Sequence, residues 1–69
     1  MSVNQQKIID FVKENPYITS EELSGLVGIT ADNIRVNISK LKNKGILERI
    51  GGNRGGYWKI IQPPATIIF

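Results

Sequence analysis

The stretch 20-SEELSGLVGITADNIRVNISKL-41 divides at one glycine. Before Gly28, Leu23, Leu26 and Val27 form a brief apolar face. After it, Ile34, Ile38 and Leu41 recur at i, i+4 and i+7, the spacing of one narrow inward stripe on a helix. Just upstream, 19-TSEE-22 reads as a capping box, in which the Thr19 hydroxyl takes an amide of the first turn and Glu22 reaches back to the Thr19 amide. Gly28 ends this first helix, where a left-handed backbone is expected. Ile29 anchors the turn and Thr30 caps the next helix, with Asp32 near the positive end of its dipole. The stretch predicts a short helix, a tight turn and a longer helix.

Upstream, 4-NQQKIIDFVKEN-15 places Ile8, Ile9, Phe11 and Val12 on a wide apolar stripe. Asn4 is the expected N-cap of this helix, and Asn15-Pro16 stops it, because the residue before a proline is pushed out of helical geometry. Tyr17 and Ile18 form a short extended link. Downstream, Lys42 and Lys44 complement the negative end of the long helix, and Gly45 terminates it. Then 46-ILERI-50 and 57-YWKII-61 flank 51-GGNRGG-56, a hairpin with a glycine-rich loop. Alternation puts Leu47 on one face with Arg49, and Trp58 with Ile60. Residues 1–61 therefore read as one domain and 62–69 as a tail. Its Ile67, Ile68 and Phe69 could pack on the first helix, seed a dimer contact or mark the cut edge of a larger chain.

Sixty-nine residues allow one small core and no deep catalytic cleft. The chain has no cysteine and no histidine, which excludes disulfides, thiolate or imidazole metal sites and Cys or His nucleophile systems. Glu21 and Glu22 are adjacent on a helix and do not face each other, so they make no catalytic pair. The sequence reads as a non-enzyme, and no cofactor is expected. No apolar run reaches the roughly 18 residues of a membrane span. The N-terminus lacks the pattern of a secretory signal, and a cytoplasmic location is expected. Net charge is +3, unevenly spread: residues 1–34 carry two lysines against five carboxylates, and residues 35–69 carry seven lysines and arginines against one glutamate. A chain polarised in this way presents one basic side to a polyanion.

Helix, link, helix, tight turn, helix, hairpin is the resulting order, an α+β arrangement. Its second and third helices have the helix-turn-helix layout, and the hairpin follows as a wing does. From about Gln5 to Ile61 the chain resembles a winged helix-turn-helix DNA-binding domain. The likeness is to the prokaryotic regulator type, on 23-LSGLVGIT-30 and 41-LKNKGILERIGGNRGGYW-58. The second block is similar to the C-terminal winged domains of helicase-related regulators, which carry an ATP-binding domain upstream. The resemblance implies double-stranded DNA as the ligand and transcriptional control as the role.

On the third helix, the side away from the apolar stripe offers Ala31, Asn33, Arg35, Val36, Asn37, Ser39 and Lys40. Arg35 can fork to guanine, Asn33 or Asn37 can pair with adenine edges, and Val36 can touch a thymine methyl. Asp32 cuts against this, since a carboxylate repels phosphates. In the wing, Asn53 and Arg54 form the tip, and Arg54 can reach phosphate or a narrow minor groove. Gly51, Gly52, Gly55 and Gly56 clear side chains from its approach. An ordinary solvated helix face and a plain hairpin loop are the competing readings. Lys40, Lys42 and Lys44 would supply sequence-independent phosphate attraction. For Trp58, core packing outweighs stacking on bases, because so small a domain needs a large aromatic anchor. A single winged domain rarely buries enough DNA for tight specific binding, so a homodimer is expected of a free-standing regulator. The alternatives are a protein-interaction or dimerisation module, and a DNA-steering piece of a larger ATP-dependent protein.

Overall fold

The computed structural model describes residues 2–52 and 55–61. Three helices, α1 (Val3–Glu14), α2 (Ser20–Val27) and α3 (Ala31–Asn43), precede an antiparallel hairpin of β1 (Leu47–Ile50) and β2 (Tyr57–Ile60). This is the α+β winged arrangement expected from the sequence.

Local chemistry sets each helix end. α1 is capped by Ser2, two residues before the expected Asn4. The reason lies three residues on from each candidate. The Ser2 hydroxyl accepts from the Gln5 amide at 3.1 Å while the Gln5 side chain accepts from the Ser2 amide at 3.4 Å. A cap at Asn4 would face Lys7, which has no acceptor to reach back with. The predicted box at α2 is present, with Thr19 Oγ1 accepting from the Glu22 amide at 3.1 Å and Glu22 Oε1 accepting from the Thr19 amide at 2.9 Å. Gly28 closes α2 at φ 89°, in the left-handed region where a side chain is strained. The Ser24 hydroxyl then donates to the Ile29 carbonyl at 2.6 Å and fastens the turn. Thr30 caps α3 by accepting from the Asn33 amide at 3.2 Å. α3 ends in a Schellman motif: the Ile46 amide donates to the Leu41 carbonyl and the Gly45 amide to that of Lys42, both at 3.0 Å.

The core lies where the three helices meet the hairpin. Ile8, Ile9 and Val12 come from α1, Leu23 and Val27 from α2, and Ile34, Ile38 and Leu41 from α3, with Ile18 of the link and Leu47 of β1 closing it. Leu26, expected on the apolar face of α2, is instead 57% exposed. An eight-residue helix buries a narrow arc, filled here by the i, i+4 pair Leu23 and Val27.

In the hairpin, Leu47 pairs with Ile60 and Arg49 with Trp58, so all four share the inner face. Trp58 ties the wing to the rest of the domain. Its amide donates to the Pro16 carbonyl at 2.8 Å, and its indole Nε1–H donates to the Ile18 carbonyl at 3.0 Å. The predicted extended link thus lies along β2. Close approach requires two of the loop glycines, and a φ of 72° requires Gly55. A Cβ on Gly56 would run into the Gly52 carbonyl and lie 2.7 Å from that of Ile50, and one on Gly51 would lie 3.1 Å from the Gly56 Cα. The two arms therefore close backbone to backbone. Among the described residues, no helix is long and apolar enough to cross a membrane.

Candidate nucleic-acid interface

With Ile34, Ile38 and Leu41 turned inward, the helical period puts Asn33, Val36, Ser39 and Lys40 on the outer side of α3, and all four are exposed. Val36 is 51% exposed, a large share for an apolar residue at mid-helix. Asn43 is also exposed and continues this row by one turn. It is absent from the sequence candidates, although the same i, i+7 spacing from Val36 points to it. Ala31 is half-buried at the start of the helix.

Two of the candidates are engaged within the domain. The Asn37 Nδ2 donates to the Asn33 carbonyl at 2.9 Å, and its Oδ1 accepts from the Gln5 Nε2 at 3.2 Å. Gln5 is 5% exposed, so Asn37 is the partner of a buried amide and couples α3 to α1. Asn37→Ala is expected to leave that donor unpaired, at a cost of about 1–3 kcal/mol. Thermal melting should show this as a drop of at least roughly 4 °C in Tm. Arg35 is held by two carboxylates, with Nη1 3.0 Å from Asp32 Oδ1 and Nη2 2.8 Å from Glu21 Oε2.

Between the start of α2, the flank of α3 and the inner face of the wing runs a groove of about 410 Å³. Ser20, Arg35, Ser39, Lys42, Arg49 and Trp58 are among the residues lining it. The Arg49 guanidinium lies over the Trp58 ring, 4.7 Å from its centroid, a cation–π arrangement that holds the charge in place. Its Nη2 also donates to the Gly52 carbonyl at 3.4 Å. Arg49 is likewise absent from the sequence candidates, yet the signal is present: alternation puts it on the inner face with Leu47. Acidic and basic groups are separated along the surface. Glu21, Glu22 and Asp32 cluster in the first turns of α2 and α3, while Lys40, Lys42 and Lys44 gather at the far end of α3. Lys42 and Arg49 beside the hydroxyls of Ser20 and Ser39 are donors suited to phosphate oxygens, while the Glu21 carboxylate that also lines the groove is paired with Arg35. Asn53 and Arg54 lie outside the described residues, as does the apolar end Ile67–Phe69.

A short helix and a longer one joined by a tight turn, with a hairpin packed beside the second, define a winged helix-turn-helix. The family model described as winged helix-turn-helix DNA-binding matches residues 1–48. The chain belongs to that family, and DNA is the partner that the family defines. The match spans the three helices and enters β1, leaving the glycine-rich loop and β2 outside it. No curated protein and no solved structure gives a significant match to the chain.

Proposed function

We propose that this protein binds double-stranded DNA sequence-specifically and without catalysis, and that it serves transcriptional regulation in the cytoplasm of a prokaryote. α3 lies in the major groove, where Asn33, Val36, Ser39 and Lys40 meet base edges and phosphates. The wing rests on the adjacent backbone, and Arg54 with Asn53 extends that contact from its tip. One observation carries the reading: in a chain of a DNA-binding family, the outer row of α3 is open to solvent and takes no part in the core. Its mixture of amide, methyl, hydroxyl and ammonium groups matches what base pairs present in the major groove.

The test is an amide-resolved NMR titration with a short mixed-sequence duplex, first at low and then at moderate salt. Shifts are expected at residues 33–43 and along the wing, fading as salt rises. No shift at low salt, where phosphate attraction is strongest, would sink the DNA reading. The rival is a protein-docking module, favoured by the exposure of Leu26 and Val36 at 57% and 51%. Under that reading the duplex leaves the spectrum unchanged.

Two finer parts of the proposal stand on sequence. On one reading the chain is a free-standing regulator that acts as a homodimer on paired half-sites; on the other, which rests on the resemblance of residues 41–58 to helicase-related regulators, it steers DNA for an ATP-binding domain upstream. The reading frame before Met1 and light scattering of the purified chain distinguish the two. On sequence, residues 62–69 are read as a tail to the domain in either case.

A further inference from the structure

Arg35 is the only side chain among the described residues that bridges two carboxylates. Asp32 reaches it from one turn back on α3, and Glu21 reaches it from α2, so the guanidinium is held from two helices. One carboxylate would balance its charge. Two leave the trio at net −1, on the flank of the helix that faces DNA in the proposed function. Stability gives only a small reason for this arrangement. The three side chains are 53%, 70% and 93% exposed for Arg35, Glu21 and Asp32, and exposed pairs of this kind contribute little. Positions in the first turns of α2 and α3 suit the helix dipoles. That explains acidic residues there, but not their convergence on one arginine.

Resting on the DNA-binding reading, we infer that Glu21 and Asp32 are selectivity determinants that keep Arg35 off the phosphate backbone and so suppress sequence-independent binding. Non-specific affinity comes from cations that neutralise phosphates and release counterions. An arginine already paired twice has no net charge to offer a phosphate. Its fork remains usable toward a base, because Nη1 and Nη2 each spend one of two N–H groups on the carboxylates, and a guanine is read by the geometry of donors rather than by net charge. The two acids thus separate the two uses of one side chain. They withhold the charge that would bind any sequence and keep the planar donor set in position.

The experiment is a set of fluorescence-anisotropy titrations against one unselected mixed-sequence duplex between 50 and 200 mM salt. It uses the full chain, its Arg35→Ala variant, the double variant Glu21→Gln with Asp32→Asn, and the triple variant. Circular dichroism checks that each is folded. Arg35→Ala alone is expected to leave the slope of log K against log salt unchanged. The double variant should bind more tightly at 50 mM and steepen the slope by about 0.9, so that its affinity falls a further ~3.5-fold across the range. Adding Arg35→Ala should remove that extra slope. A flatter slope in Arg35→Ala alone overturns the inference, because Arg35 would already be on phosphate. So does a steepening that survives in the triple variant, since the acids would then act only as repelling charges. If the unaltered chain binds no duplex at 50 mM, the proposed function falls and the inference falls with it. If that chain binds and the double variant has the same slope, the inference alone falls.

Discussion

Trp58→Ala is expected to remove most of the stability of this domain. Truncating a packed tryptophan costs about 3–5 kcal/mol, against a total on the order of 3–10 kcal/mol for a chain of this size. Trp58 packs against the core, donates through its indole to the Ile18 carbonyl and through its backbone to Pro16, and carries the Arg49 guanidinium. Losing the ring would remove the indole bond to the link and open the core between them, leaving only the backbone bond to Pro16 to tie the wing to the link. Urea denaturation followed by circular dichroism should show a large fall in midpoint. Trp58→Phe keeps most of the packing and deletes the bond to Ile18, so it should cost closer to about 1 kcal/mol. If Trp58→Ala kept its midpoint and lost only DNA affinity, the residue would be a stacking platform rather than an anchor.

The pair Lys42→Ala with Arg49→Ala carries the largest expected effect on binding. Both residues line the groove between α2, α3 and the wing, and neither has a carboxylate partner among the described residues. As phosphate contacts they would each contribute a charge-assisted hydrogen bond, about 1.5–3 kcal/mol. Removing both should weaken binding at low salt by at least about 100-fold and flatten the salt dependence by about 1.8 units of slope. The double variant should keep its fold, since among the described contacts only the stack of Arg49 on Trp58 and its long, exposed bond to the Gly52 carbonyl are lost. An unchanged slope would place the groove away from the DNA backbone.

Much of this architecture is legible in the order of residues alone, because it depends on neighbours within a turn or two. The Thr19–Glu22 box, the left-handed Gly28, the Thr30 cap and the stripe of Ile34, Ile38 and Leu41 are all found as expected. Each is fixed by spacing along a helix or by the conformational freedom of one residue. The cap of α1 shows the limit of even local reading. Asn4 and Ser2 are both good caps, and the reciprocal bond from Gln5 decides for Ser2.

The candidate interface is legible in outline and not in detail. That α3 has an outer face follows from its period. Which of those side chains are free to meet a ligand does not, since that depends on residues far away in the chain. Asn37 is engaged by Gln5, 32 positions away, and Arg35 by Glu21, 14 positions away. Arg49 joins Lys42 along one groove only because the hairpin folds back beside α3. The glycines of the loop show the same division. Their number and spacing announce a turn, but only the closed hairpin shows that Gly56 is required by the Gly52 and Ile50 carbonyls, and Gly51 by the Gly56 Cα, while Gly52 faces open space.

By itself, then, the sequence determined the order of elements, most of the helix ends, the inward stripes and the basic bias of residues 35–69, because periodicity, capping and charge are written in adjacent residues. The tertiary structure alone decided which polar side chains spend their hydrogen bonds inside the domain and which remain for a partner. A donor or a charge is free only when nothing else lies within about 3 Å of it, and what lies there is set by packing between helices rather than by position along the chain.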